Sequence, residues 1–522
     1  MIIPAHLRRS RRETVVTDPP VIGDARVAWE LLDLLAVEVF SWHIPLTTAA
    51  EICLRRVESG QRVGFVFLDV PNIDEIAGAV PESQWIPWLP RRTRRANVDK
   101  IEKILRAHGV TVIRSPRIRS SASALSCRQL GIDSLDSLRE FRFDGAAIGL
   151  GVLSSLIRHT GTMNPDFEQS RDLIDHLLRL SIAVFDLSRT VIRRCEPATV
   201  LLFNGRLACS KAVAEAARSE GAKVLYHEIG ASHERFYLSD RPPHSMANAR
   251  ATLQQNWAHA GADREAVAAS FFTRGRGGNP LPSSKFSRSQ LPGHSIARSG
   301  LRRIVYFVSS DDEYAAVEEG LEQFLFESQR DAATWLADWV RDRPEFELFF
   351  RLHPRMGQYL PGELPWWESL ATGNISTIPA DSPVDSHALA ESADLVMCYR
   401  SSLGAEATYM GKPTILLGDS LYRGLDCVYE PSTLAELEAL LHDVDLPPKP
   451  RENCLPFGYD RMMRGTPHRF YRPVSLSEGS FFGESVTPRA MSLTDRLGLK
   501  LWSSAGKRLG ARQQRNAEKP SR

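Results

Sequence analysis

The chain has 522 residues, too many for one ordinary core, so two or three domains are expected. Apolar residues make up 43% and charged residues 25%, the balance of a soluble globular protein rather than a disordered or fibrous one. A formal charge of +2 gives the whole chain no polyanion-binding character, which sets nucleic acid aside as a partner.

Residues 1–25 are polar and contain proline, and read as a poorly ordered arm. A helical pattern is predicted over Ala25–Val39, and a second over Thr47–Glu58 that stops at Gly60. The apolar run Arg62–Val70 predicts a strand, Val98–His108 a helix and Val110–Ile113 another strand, a first β-α-β pattern. Leu135–Cys195 reads as largely helical, with Leu173, Leu177, Leu178 and Ile182 at core-facing spacing. After Pro197 a strand breaks into Asn204-Gly205-Arg206, an Ala-rich helix Leu207–Ser219 follows, and strand Lys223–Tyr226 runs into His227-Glu228. Two polar clusters therefore sit at the ends of consecutive strands, the place where a doubly wound sheet forms a cleft edge.

Residues 272–300 are rich in Gly, Pro, Ser and Arg and read as a linker. Beyond it come strand Arg303–Val308, a helix around Thr334–Arg341, strands Phe346–Leu352 and Ile375–Ile378, and a helix starting near Asp385. The stretch Ala393–Asp419 predicts strand Asp394–Tyr399, a tight loop Arg400–Ser402, helix Leu403–Met410 and strand Pro413–Leu417, a further βαβ unit. A mixed segment runs on to about Gly483, and the last residues place Leu497, Leu499, Leu501, Trp502 and Leu509 among many basic ones. The division expected is an N-terminal arm (1–25), an N-terminal Rossmann-like domain (26–271), a linker (272–300), a C-terminal Rossmann-like domain (301–485) and a basic tail (486–522). That tail is either a solubilising end or an amphipathic helix touching the anionic inner membrane.

Seven scattered cysteines without a Cys-x-x-Cys pair argue against a disulfide framework and fit a reducing cytoplasm. The first dozen residues carry four arginines and no signal-peptide core, and no run reaches the ~18 apolar residues of a membrane span. A cytoplasmic protein is the expectation. The trio His227, His233 and His244 matches no metal-ligand spacing, so no metal is expected. Asp311 and Asp312 are adjacent on an extended loop and point apart, so capping of the next helix is expected of them.

The strand ends of the second domain gather Ser309–Asp312, Arg351–Arg355, Asp381–Ser386 and Arg400–Ser402. Parallel neighbours would line one crevice with Arg351, His353, Arg355, Arg400, Ser401 and Ser402, the groups that hold phosphate, and with Glu406, placed to accept from a ribose diol. Helix capping by the two serines is the alternative. In the first domain Glu228 is positioned as a general base on an acceptor hydroxyl or is a surface carboxylate, and Asn204 and Arg206 orient an acceptor or organise the turn.

The sequences RLHPR, DSHALAESADLV and GAEATYMGKPTILLG, with LLFNGR and HEIG upstream, resemble the bacterial capsule and surface-polysaccharide glycosyltransferases of GT-B fold. In that group a His-Pro pair follows one strand of the C-terminal domain, and a Ser-Ser or Ser-Thr pair opens a later helix near a Glu. Here these are His353-Pro354, Ser401-Ser402 and Glu406. The likeness spans roughly residues 60–485 and is strongest over 346–420. It implies α/β architecture with two Rossmann-like doubly wound domains facing across a cleft. It also implies a nucleotide-sugar donor, a glycan or lipid-linked acceptor, and transfer without metal or other cofactor. His353 and the serines would touch the donor phosphate and Glu406 the nucleotide. No motif fixes the acid or base of the first domain, where Glu228 is the candidate. A nucleotide-sugar epimerase or hydrolase on the same scaffold, or a non-catalytic component of a polysaccharide assembly complex, would carry the same motifs.

Overall fold

Short runs of β-branched and aromatic residues between helices build two sheets, the second parallel and the first parallel except at one edge. The structure, a computed structural model, describes residues 31–38, 43–70, 89–115, 118, 125–274, 289–314, 324–475 and 478–486. The expected arm, residues 275–288 of the expected linker and the basic tail after Val486 lie outside the described residues.

In the first half come β1 (Leu34–Glu38), α1 (His43–Glu58), β2 (Val63–Phe67), α2 (Leu89–Ala107) and β3 (Thr111–Arg114). Four helices follow: α3 (Cys127–Leu130), α4 (Leu135–Glu140), α5 (Ile148–Thr160) and α6 (Arg171–Cys195). Then come β4 (Thr199–Phe203), α7 (Ala208–Ser219), β5 (Lys223–Ile229), β6 (Arg235–Ser239), α8 (Met246–Ala258) and α9 (Arg264–Arg274). The second half holds β7 (Arg302–Phe307), α10 (Gln329–Arg341), β8 (Phe346–Arg351), α11 (Met356–Tyr359), α12 (Leu364–Ser369) and β9 (Ile375–Ile378). It continues through α13 (Ser386–Ser392), β10 (Leu395–Cys398), α14 (Leu403–Tyr409), β11 (Thr414–Leu416), α15 (Leu434–His442) and α16 (Leu455–Met463). Four short strands close the described chain: β12 (Thr466–Pro467), β13 (Tyr471–Ser475), β14 (Glu478–Phe481) and β15 (Glu484–Ser485).

The first sheet has seven strands in the order β12-β6-β5-β4-β1-β2-β3, and the second five in the order β11-β10-β7-β8-β9. Strands β1 to β5 and β7 to β11 run parallel, so each half is doubly wound with its order reversing beside its first strand. That reversal, between β1 and β4 and between β7 and β10, places the loops that can hold a ligand.

The helix expected over Ala25–Val39 is not formed over its described part: Leu34–Glu38 is a strand with all five residues buried. A short apolar run fits either state, and pairing on both edges with β2 and β4 decides for the strand. Residues 289–300, expected in the linker, lie against the second domain, where Leu291 N–H donates to Pro383 O (2.9 Å) and the buried Arg303 guanidinium donates to Ile296 O (2.9 Å).

The chain also changes domain earlier than the expected boundary at 271. Leu253 of α8 and Phe271 of α9 share an apolar cluster with Val305, Phe349 and Val396, and Phe272 stacks on Tyr409 at 4.1 Å. It returns before residue 485. β12 pairs antiparallel with β6, and the β13–β15 meander packs on α1 through Tyr471, whose hydroxyl lies 2.6 Å from His43 Nε2. Fully buried Glu51 accepts backbone N–H bonds from Arg469, Phe470 and Tyr471, each 2.8 Å long. On the other side of the joint, buried Glu363 accepts from Thr162 Oγ1 and Met163 N, both at 2.8 Å. The Glu363 contacts thus tie the second domain to the first, and the Glu51 contacts hold the returning chain on the first.

All seven cysteines are buried free thiols. No helix among the described residues is long and apolar enough to cross a membrane.

Candidate functional site

The second sheet reverses between β7 and β10, and the loops leaving these strands are tied together there. Arg400 N–H donates to Ser309 Oγ (3.0 Å), while Gln329 receives Ser309 N–H (2.7 Å) and donates to Asp311 Oδ2 (3.2 Å). Burial pushes the Asp311 carboxyl up to about 6 although Arg400 lies 3.8 Å away, with the charges of Asp312 and Glu363 adding to the rise. The Arg400 guanidinium lies over the Tyr314 ring at 5.3 Å.

The serine loop follows. Ser401 Oγ accepts the Leu403 N–H (3.3 Å), and the Tyr422 hydroxyl donates to Ser401 O (2.6 Å). Gly404 lies so close to Tyr422 and Cys398 Sγ that a Cβ would collide with both, which fixes the first turn of α14. Ser402 makes no side-chain cap bond; its hydroxyl donates to Glu406 Oε1 (3.0 Å). The other oxygen, Glu406 Oε2, accepts from His387 Nε2 (2.8 Å). Burial would raise the Glu406 carboxyl, and the bonds from His387 and Ser402 and the Arg461 charge more than offset it, so it sits below its ordinary range.

His353 and Arg355 follow β8. Arg355 N–H donates to His353 Nδ1 (3.1 Å), which leaves the proton of the neutral ring on Nε2. Arg355 Nη2 donates to Asp312 Oδ2 (3.1 Å). Asp312 is therefore not the helix cap expected of it: its side chain is fully buried and ion-paired, and Ser310 Oγ donates to it (2.8 Å). Arg351 is separated from this group. The residue is 1% exposed, and its guanidinium donates to the carbonyls of Pro379 and Val384, where it ties β8 to the loop that leads into α13. Burial lowers it to about 10 against the pull of Asp381 and Asp385.

On the first domain Asn204 and Gly205 both take left-handed backbone (φ 61° and 72°), which Asn tolerates and Gly adopts freely. This turn aims Asn204 Nδ2 at Glu228 Oε2 (2.7 Å), while Glu228 Oε1 accepts the Ile229 N–H (2.9 Å). Glu228 lies within β5 rather than after it. Arg206 Nη1 crosses the cleft to donate to Asp312 O (2.8 Å). Arg206 thus meets the Asp312–Arg355 pair across the domains, Glu228 and Asn204 bond to each other within the first domain, Ser402 and Glu406 bond to each other within the second, and Arg351 stands apart.

Sequence reasoning missed four groups. His387 stands one residue past the Asp381–Ser386 cluster, and Asp385, the N-cap of α13, accepts its N–H (3.0 Å); an Asp-x-His step entering a helix was the available signal. Tyr314, Tyr237 and Arg461 carried none. Burial and the Glu228 charge raise the Tyr237 hydroxyl against Arg464. Arg461 is exposed as a residue, but burial of its guanidinium and the Arg464 charge lower its pKa against Asp460, Tyr314 and Glu406, which sets α16 near Tyr314 and Glu406. No group of three or more His, Cys, Asp or Glu side chains among the described residues is placed to hold a metal ion.

No protein-family model and no curated protein matches the chain. Solved structures do. One is a Thermosulfurimonas dismutans protein, KpsC, described as a beta Kdo 2,4 transferase: 13% identity, TM-score 0.31, over 51% of this chain and 79% of that one. The UDP-GlcNAc 2-epimerase from Neisseria meningitidis bound to UDP-GlcNAc gives 11% and 0.22 over 82% and 93%. The Streptomyces sp. SF2575 glycosyltransferase SsfS6, complexed with thymidine diphosphate, gives 11% and 0.25 over 83% and 95%. Similarities of this size carry no argument about chemistry. The two-domain α/β fold stands on the two strand orders above.

Proposed function

We propose that the protein transfers a sugar from a nucleotide-activated donor to a hydroxyl of a glycan or lipid-linked acceptor, in the cytoplasmic assembly of a surface or capsular polysaccharide. The observation that supports this reading is the Ser402–Glu406–His387 chain of the second domain, with the Asn204–Glu228 pair on the first domain and Arg206, two residues on, bonded across to Asp312 O. A carboxylate kept ionised by two donors is an acceptor for a ribose diol. Arg400, Arg355, His353 and the loop Ser401–Ser402 hold the donor phosphate, and His353 presents its Nε2 proton to the departing oxygen. Arg351 acts at one remove by fixing residues 379–384.

Glu228 takes the proton of the attacking hydroxyl. Asn204 and Ile229 occupy two of the roughly four acceptor positions of a carboxylate and set its direction. Asn204 and Arg206 orient the acceptor. The proposal gives every role to a side chain of this chain and includes no metal. The basic tail either solubilises the chain or touches the anionic inner membrane, and vesicle co-sedimentation with and without Ser492–Arg522 separates the two.

The test is thermal stabilisation by CMP, UDP, GDP, CDP and dTDP, followed by transfer assays with sugar donors of the nucleotide that binds. A nucleotide at about 100 times its Kd adds about 2.7 kcal/mol of stability. Stabilisation by none of the five removes the reading; a converted free sugar without acceptor replaces it with epimerase or hydrolase chemistry.

A further inference from the structure

Beside the nucleotide and acceptor groups, the joint between the domains concentrates positive charge. Arg158, in the last turn of α5, reaches Asp312 Oδ2 at 3.5 Å, the same oxygen that Arg355 holds at 3.1 Å. Both guanidiniums lie against the Tyr359 ring, at 4.0 and 4.5 Å. Arg206 adds a third cation. Its Nη1 donates to two neutral oxygens, Asp312 O (2.8 Å) and Ser154 Oγ (3.3 Å), and no carboxylate among the described residues lies within ion-pair distance of it.

Arg206 Nε is buried without an acceptor. An unpartnered guanidinium N–H in a site of low water access is costly to leave unbonded. Burial lowers the Arg158 pKa, Asp312 opposes this, and the charges of Arg355 and Arg206 add to the fall. The place is not sealed: the Arg158 and Arg355 side chains each keep 14% exposure. The guanidinium fork is the donor geometry that matches phosphoryl oxygens.

We infer that Arg158, Arg206 and Arg355 form a phosphate-binding subsite shared by the two domains. It takes a phosphoryl group carried by one of the two substrates. Occupied, it neutralises the joint and couples substrate binding to the association of the domains. The inference rests on the proposed function only in that the cleft receives phosphorylated substrates.

The experiment is calorimetric titration of the full chain with sodium pyrophosphate at low salt. Wild type is compared with Arg158→Gln, Arg206→Gln and, as control, Arg341→Gln, an exposed arginine paired with Asp338. Each joint variant should weaken binding at least about tenfold and the control should match wild type, since a charge-assisted hydrogen bond contributes about 1.5–3 kcal/mol. Arg158→Lys keeps the charge without the fork and should fall between, which keeps the test intact if Arg206→Gln does not fold. No binding by wild type, unchanged binding by the variants, or the same heat from sodium chloride at matched ionic strength overturns the inference.

Competition then names the source: displacement by a nucleoside monophosphate assigns the site to the donor, displacement by farnesyl phosphate to a lipid-linked acceptor. Arginine-dependent pyrophosphate binding with neither competitor supports the subsite and removes the glycosyl-transfer reading. Nucleotide binding together with pyrophosphate binding that the variants leave unchanged does the reverse.

Discussion

The two sheets share one winding, β3-β2-β1-β4-β5 and β9-β8-β7-β10-β11, and furnish their reversals in opposite ways. In the second domain the reversal opens on charge: Asp311, Arg400 and the serine loop reach the cleft. In the first, the matching row is sealed. Glu38, Phe203 and His227 lie side by side across β1, β4 and β5, the carboxylate and imidazole 3.1 Å apart and each 1% exposed. Burial raises the Glu38 carboxyl and the His227 bond opposes the rise. Side chains alternate along a strand, so the next residue, Glu228, faces the other way and meets Asn204. Topology fixes where a site forms; which side of the strand end carries the charge decides between a scaffold and a reactive group.

Breaking this contrast should hurt most at Glu228. Glu228→Gln keeps the Asn204 contact in shape and removes the base, so turnover should fall about a thousandfold while nucleotide affinity, measured by titration, stays at the wild-type value. A parallel loss of both would move Glu228 to the binding side.

Asp311→Asn sharpens the other half. The unfolded carboxyl releases its proton near pH 4 and the folded one at about 6, so the folded state binds more protons in that window and stability falls as pH rises through it. Above about pH 6 the penalty is about 3 kcal/mol, which the neutral amide avoids. Melting curves should show Asp311→Asn more stable than wild type at pH 7.5 and equal to it at pH 4; equality at both would show that Asp311 is not strained.

Glu406→Gln should weaken nucleotide binding about thirtyfold, about 2 kcal/mol, with the fold intact by circular dichroism. Arg461→Gln carries the smallest effect, about tenfold in nucleotide affinity, and it should shrink as salt rises from 50 to 500 mM because Arg461 is exposed as a residue.

What the sequence disclosed follows from distance along the chain. Strand-loop-helix units announce themselves locally, so His353, Arg400, Ser401, Ser402 and Glu406 could be placed from periodicity and breakers. Arg351 was legible as a cation at a strand end, but nothing local says that its guanidinium turns inward to Pro379 and Val384. Arg158 and Arg461 were invisible for the same reason: each stands on an amphipathic helix as one more polar residue, and only the packing of α5 and α16 brings them to the cleft. The strand at Leu34–Glu38 was misread because five buried residues show no alternation.

The return of β12 to the first sheet has a consequence for synthesis on the ribosome. The domain that emerges first cannot be completed until almost the last described residues are made, because its edge strand and the three N–H donors to Glu51 all lie between residues 466 and 471. Until then Glu51, at 0% exposure in the finished molecule, keeps only the Arg55 side chain of its partners here. The edge of the first sheet is therefore closed by a segment made after the second domain's strands.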